Sequence, residues 1–279
     1  LATNGTLTTS SGTVSLKGSA GVTVGHSITT TSGAVSVIGA GINLTSTNTI
    51  DAGSSTITID GNDGAITLTG ALTTTNTSAT AIVIKNASTV SLGNITTGAT
   101  GTVTLGATTS GDELTGAVTQ TGIINTETLI GNTAAAVTLL GANTLTNLGA
   151  FTSGTVGFSL NDLGGLTVSG NVNNTSGAVS IVTTVSPLTI SADITATGQS
   201  LSLTGVGINQ TTGTILAAGL TVNAGTGAIA LSQTSNDFTG AVSLNNSGLN
   251  NVAITDANAL TLGTLSIATG SLTIINTGA

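Results

Sequence analysis

Residues 11–16 read SGTVSL, and this phrase, in which small residues precede alternating apolar and hydroxyl side chains, returns along the whole chain. The further copies are SGAVSV at 32–37, DGAITL at 63–68, TGTVTL at 100–105, AAAVTL at 134–139, SGAVSI at 176–181, TGAIAL at 226–231 and TGAVSL at 239–244. A unit this short buries its apolar face only by packing on its neighbours, so the repetition indicates a repeat architecture. The sequence therefore says more about architecture than about biochemical role.

The alternation of apolar and polar residues, rich in β-branched side chains, predicts short strands and no helix. Strands are expected to begin about seven or eight residues apart, at Val14, Val22, Ile28, Val35, Ile42, Ile50, Ile57 and Ile66. Three such strands make a coil of roughly 22 residues. We therefore predict an all-β chain forming a single parallel β-helix (β-solenoid) over residues 1–279. About twelve coils at ~4.8 Å each would give a rod about 60 Å long.

A string of immunoglobulin-like sandwiches is the competing fold, because it also has many short strands. The chain has no Trp and no Tyr, and the predicted strands are shorter and more uniform than a sandwich needs. Only 1% of residues are aromatic and 4% are charged, so we expect a narrow core of Val, Ile, Leu and Ala. The mean hydropathy of +0.49 argues against a disordered chain.

The charge balance disfavours several classes of partner. The net charge is −8, and Lys17 and Lys85 are the only basic residues besides a single histidine. Such a chain has no cationic surface for nucleic acid or anionic lipid, and no apolar stretch approaches the length of a membrane-spanning helix. Without cysteine it forms neither disulfides nor thiolate metal sites. The chain is expected to be a mature product or a fragment of a longer repeat protein.

The strongest candidate for a metal site is the sequence DGNDG at 60–64, where Asp60, Asn62 and Asp63 offer clustered oxygen ligands for calcium. The spacing matches neither an EF-hand nor a repetitive calcium-binding roll. The alternative interpretation is a tight turn, in which an Asp side chain accepts hydrogen bonds from its own backbone. This alternative is favoured, and calcium is kept as a possible cofactor.

No catalytic or cofactor-binding residues are predicted. His26 is the single histidine, and it lies in a Gly-His-Ser corner without a cysteine or a second histidine. The carboxylates that could act in pairs in glycoside cleavage are Asp60 with Asp63, Asp112 with Glu113, and Asp51. Arginine to stabilise developing charge and Trp or Tyr to stack on sugars are both missing. We therefore expect a protein that is not an enzyme.

Two longer stretches carry a family resemblance. GAITLTGALTTT at 64–75 and GAIALSQTSNDFTGAVSLNNSGLNNVAITDANALTLGT at 227–264 resemble the repeats of large bacterial filamentous-haemagglutinin-like exoproteins. The likeness extends over nearly the whole chain. It implies a right-handed parallel β-helix that is secreted and acts at the cell surface as an adhesin or a fibre.

Three functions follow as expectations. The first is a secreted structural protein that forms or extends a bacterial cell-surface fibre or adhesin stalk, and its partner would be a receptor on a host or neighbouring cell. The second is a subunit that associates end to end into an extracellular filament or sheath, because open strand edges template further pairing. The third is an ice-binding solenoid, prompted by the Thr-x-Thr steps at 56–58 and 102–104. No nucleic acid and no membrane insertion are expected.

Overall fold

The computed structural model describes residues 1–107 and 111–278. The chain is an all-β parallel β-solenoid of about 13 turns with ~21 residues per turn, and the described residues contain no helix. The predicted fold class is confirmed. The average turn is about one residue shorter than predicted, which accounts for the additional turn.

The chain divides into two compact units, residues Leu1–Leu145 and Thr146–Ala279. The prediction of one continuous solenoid over 1–279 stays a prediction, and each unit is described by itself. The strands of the first unit are β1 Leu7–Thr9, β2 Val14–Gly18, β3 Val22–Val24, β4 Ile28–Thr30, β5 Val35–Gly39, β6 Ile42–Leu44, β7 Thr49–Asp51, β8 Ile57–Asp60, β9 Ala65–Leu68, β10 Ala71–Thr73, β11 Ile82–Lys85, β12 Thr89–Leu92, β13 Ile95–Thr96, β14 Thr102–Leu105, β15 Val118–Gln120 and β16 Ile124–Thr133. Strand β17, Val137–Thr155, contains the division between the units.

Three parallel ladders build the first unit, because every third strand pairs with its equivalent one turn later. The first ladder is β1–β4–β7–β10–β13–β16. The second is β2–β5–β8–β11–β14–β16. The third is β3–β6–β9–β12–β15 and the start of β17.

The second unit has the same plan. Its strands are β18 Phe158–Asp162, β19 Leu166–Val168, β20 Val172–Ser176, β21 Val179–Thr183, β22 Leu188–Ile190, β23 Ile194–Thr204, β24 Ile208–Gln210, β25 Ile215–Asn223, β26 Ile229–Leu231, β27 Asp237–Phe238, β28 Ala241–Asn246, β29 Val252–Asp256, β30 Thr261–Ile267 and β31 Leu272–Asn276. One ladder is β19–β22–β24–β26–β29–β31. Another is β18–β21–β23–β25–β28–β30, and the third is β20–β23–β25–β27.

The core of each unit consists of aliphatic side chains stacked in register. Alternation along a strand sends every second residue inward, and the parallel register places each inward residue on its equivalent in the next turn. In the first unit one such buried row is Val14, Val35, Ile57, Ile82 and Val103. The second unit adds a ring pair, Phe151 and Phe158, with centroids 4.9 Å apart. Burial of these rows is the main stabilising contribution.

Some strands are longer than the short strands that the sequence predicts. Strands β16, β23 and β25 contain 10, 11 and 9 residues, and each of them pairs in two ladders. Their corners carry polar residues, which from sequence alone resemble turns. Within the described residues, no helix has the length and apolar character needed to cross a membrane.

Candidate functional site

The densest group of charged side chains lies at the corner of the first unit that follows β8, β11 and β14. Asp60 and Lys85 end β8 and β11 and are aligned in neighbouring turns. The Lys85 Nζ lies 2.7 Å from Asp112 Oδ1 and 3.9 Å from Asp60 Oδ2. All three side chains are partly buried, being between 17% and 26% exposed. One ammonium group therefore bridges carboxylates that come from two different turns.

The turn at 60–64 adjoins this cluster and is confirmed. The Asn62 N–H donates to Asp60 Oδ1 at 3.0 Å, which is the Asp-to-backbone bond expected of a tight turn. Asn62 and Asp63 have positive φ angles of 41° and 64°, which Asn and Asp tolerate better than most residues. In the next turn, Asn86 donates from Nδ2 to Asp60 Oδ1 at 3.2 Å.

The three predicted calcium ligands differ in their surroundings. Asp60 already accepts hydrogen bonds and has the Lys85 ammonium beside it, whereas Asn62 and Asp63 are exposed. A cation at Asp60 would be repelled by Lys85. Across residues 1–107 and 111–278, no three His, Asp or Glu side chains come together as a group that could hold a metal ion. Calcium binding stays a prediction.

The remaining candidate groups are dispersed. His26 is exposed, and its Nδ1 lies 3.1 Å from the carbonyl oxygen of Thr3. Asp51 Oδ1 accepts the Gly53 N–H at 2.8 Å, as a turn residue does. Glu113, next to the Lys85-bound Asp112, accepts the Gly111 N–H at 2.7 Å. Each of these groups bonds to backbone atoms, which is a structural role.

The outer face of the second unit carries two polar rows, one on β18, β21, β23, β25 and β28 and a shorter one on β25 and β28. One row consists of hydroxyls aligned turn on turn: Ser159, Ser180, Ser202, Thr221 and Ser243. The neighbouring row contains Asn223 and Asn245, whose amides lie 3.5 Å apart. The last turns of both rows line a shallow groove of about 330 Å³. This face offers neutral hydrogen-bonding groups and no charge.

The two Thr-x-Thr steps do not form one repeated surface. Thr58, Val83 and Thr104 are aligned in consecutive turns, so a valine interrupts the row. Thr102 and Thr104 are buried, at 7% and 9% exposure. An ice-binding face needs paired rows of exposed threonines at constant register, and these positions do not supply one.

Polar side chains inside the core are the functional candidates that the sequence did not reveal. Gln120 and Asn143 form an amide pair in the first unit, and Gln210 and Asn236 form another in the second. In the second unit, Asp256 is fully buried and accepts the Phe238 N–H at 2.9 Å. From sequence these residues resemble corner residues. Other polar side chains, among them Asp162, Asn174 and Asn246, are buried as well.

The strands at the carboxyl end of the second unit leave apolar side chains uncovered. Strands β30 and β31 hold five aliphatic side chains that are between 37% and 48% exposed: Leu262, Leu265, Leu272, Ile274 and Ile275. Leu262 and Leu272 continue the buried rows of Val242 and Val252.

Comparison with known proteins adds one match. Residues 176–245 and 249–279 match a family described as repeats of unknown function (DUF5649). The match covers less than half of the chain and falls within the second unit. No curated protein and no solved structure matches the chain. The chain is thus a repeat-containing β-solenoid that is similar, over these two ranges, to a repeat family of unknown function.

Proposed function

We propose that the chain is a non-enzymatic, secreted structural protein that forms or extends a bacterial cell-surface fibre or adhesin stalk. The observation that carries this proposal is the repetition of one three-strand plan in successive turns. In each unit the same three-strand turn recurs with aliphatic residues inside and small polar residues outside. A solenoid of this kind adds length with every repeat, which is what a stalk requires.

The resemblance to filamentous-haemagglutinin-like exoproteins supports the surface location. The outer faces are consistent with an extracellular spacer, because only 4% of the residues are charged and Ser and Thr recur at outward positions of the strands. The charged groups at the corner of Asp60, Lys85 and Asp112 are paired with one another, so they serve the fold. The proposed partners are other copies of this chain and a receptor on a cell surface.

Electron microscopy of the purified chain over a concentration series tests the stalk against its alternative. A stalk predicts particles whose length is the same at every concentration, since each chain then adds a fixed number of turns. Particles that lengthen with concentration, with one regular subunit spacing, would replace the stalk by a self-assembling filament subunit. Turnover of a polysaccharide substrate by the purified chain would contradict both.

A further inference from the structure

The amide pair of the second unit joins two turns inside the core. Gln210 Nε2 donates to Asn236 Oδ1, and Asn236 Nδ2 donates back to Gln210 Oε1, both at 2.8 Å. Asn236 Oδ1 also accepts the N–H of Ile215 at 2.9 Å, in the place where a backbone carbonyl would serve in a regular ladder. Gln210 is 5% exposed and Asn236 is fully buried. Five polar atoms of three residues, which come from two turns, therefore satisfy one another with almost no exposure to water.

The first unit contains the same arrangement. Gln120 Nε2 donates to Asn143 Oδ1, and Asn143 Nδ2 donates back to Gln120 Oε1 at 3.3 Å. Asn143 Oδ1 accepts the Ile124 N–H at 2.8 Å. Asn143 is fully buried, and Gln120 is half-buried. The agreement extends to position, because each Gln ends a three-residue strand and each N–H belongs to the first residue of the following strand.

The aliphatic rows do not by themselves specify which turn packs on which. Val179, Leu201, Leu220 and Val242 succeed one another at one position of the second unit, so skipping a turn would still place an aliphatic residue on an aliphatic residue. The hydroxyl row outside is equally uniform. A shift by a whole turn keeps every side chain on its own face of the strand, so the alternation of apolar and polar residues does not oppose it.

An amide pair in the core favours one order of turns over the others. Any shift by one turn separates Gln210 from Asn236 and removes the partners of Gln210 Oε1, Asn236 Oδ1 and the Ile215 N–H. The two amide nitrogens keep their bonds to the carbonyls of Gly213 and Leu231. Unpaired buried groups cost far more than exchanging Val for Leu. A single buried asparagine fixes register in coiled coils for the same reason. We propose that Gln120–Asn143 and Gln210–Asn236 are register locks, each of which fixes the order of turns in its own unit.

Paired cysteines can test the lock cleanly, because the chain has no cysteine of its own. Ser202 and Thr221 are outward residues aligned in adjacent turns, at the ~4.8 Å spacing that a disulfide can span. Ser202 and Ser243 are two turns apart, roughly 9.6 Å, which is beyond the reach of a disulfide. Oxidation of S202C/T221C therefore reports the native register, and oxidation of S202C/S243C reports a register that skips one turn.

We expect S202C/T221C to cross-link, and S202C/S243C to stay reduced, in the otherwise unchanged chain. Adding Q210L/N236L, which keeps side-chain volume but removes the amide pair, should raise the S202C/S243C cross-link by roughly tenfold or more. The matched control is N223L/N245L, which replaces two aligned amides on the outer face and should leave both reporters unchanged. If Q210L/N236L folds and the S202C/S243C cross-link stays at its original level, the lock is disproved.

The first unit provides an independent test if Q210L/N236L fails to fold. Thr119 and Thr138 follow the aligned residues Val118 and Val137, so T119C/T138C reports the native register there. Q120L/N143L should lower the yield of this cross-link, because alternative orders of turns become populated. An undiminished yield would overturn the proposal for that unit.

Discussion

The carboxylate of Asp256 accepts the backbone N–H of Phe238 at 2.9 Å inside the core of the second unit. Asp256 is fully buried, and its Oδ2 atom has no hydrogen-bond partner among the described residues. Ala257 donates to the Asn236 carbonyl at 2.7 Å, which places Asp256 beside Asn236 in the parallel register. Asn236 in one turn is thus aligned with Asp256 in the next turn.

Replacing this aspartate by asparagine is expected to stabilise the protein. D256N keeps the oxygen that accepts from Phe238 and removes an uncompensated buried charge, so the free energy of unfolding should rise by about 1 kcal/mol or more. D256A is the contrasting variant, because it leaves the Phe238 N–H unpaired and should lower stability by about 1–3 kcal/mol. Urea denaturation of the three proteins measures both changes, and a D256N variant less stable than the parent would refute the argument.

Removing Lys85 should destabilise the first unit in a salt-dependent way. K85A leaves the Asp60 and Asp112 carboxylates without their shared cation, and we expect a loss of about 1 kcal/mol that shrinks as salt is added. Lys17 is exposed and supplies the control, because K17A should change stability by less than about 0.5 kcal/mol. Equal effects of the two substitutions would show that the bridge contributes nothing.

Replacing Val156 by glycine should stabilise the protein. It is 76% exposed and has a φ of 87°, a conformation that a β-branched side chain adopts only under strain. V156G should therefore raise the free energy of unfolding by roughly 0.5–1 kcal/mol, after allowing for the greater chain entropy of glycine. V185G, at an exposed valine without positive φ, should instead be neutral or destabilising. Thermal melting curves distinguish these outcomes.

Alanine substitutions at two glycines should distinguish the cost of backbone strain from the cost of steric overlap. Gly198 and Gly213 both have positive φ, at 73° and 77°. A Cβ at Gly198 would meet no atom within 4 Å, whereas one at Gly213 would overlap the backbone of Ala192 in the preceding turn. G198A should cost about 1–2 kcal/mol from strain alone. G213A should cost a further ~1–3 kcal/mol from crowding, and chemical denaturation that gave equal losses would contradict this account.

Calcium should not stabilise the chain through Asp60. The Lys85 ammonium beside that carboxylate disfavours a second cation, so melting temperatures with calcium and with a chelator should agree. D60N is the appropriate comparison. A calcium-dependent rise in melting temperature that D60N abolishes would restore the metal site at 60–63.

The sequence was sufficient for the architecture because inward aliphatics recur with period two. Strands β2, β3, β4, β5, β6 and β8 begin at the predicted residues, and β7 and β9 begin one residue earlier. The sequence was insufficient for contacts between turns of unequal length. Lys85 reaches Asp112 across 27 residues, and Val90 is aligned with Val118, 28 residues on. No fixed period predicts such a partner.

The interior polar groups were hidden for a different reason. Gln120 and Gln210 each follow an apolar–polar alternation and precede threonine, as an ordinary corner residue would. Gln210 is buried and Gln120 is half-buried. Each of them forms hydrogen bonds with an asparagine in another turn, Asn236 or Asn143. The turn at Asp60 could be predicted, since its bonds are local, whereas the nearby Lys85 bridge could not.

Immunogold electron microscopy on cells that produce the chain tests the proposed surface location. With antibodies raised against the purified chain, a surface stalk should be labelled on intact, unpermeabilised cells, along fibres that extend from the surface. Label that appears only after the cells are permeabilised would contradict a surface structural role.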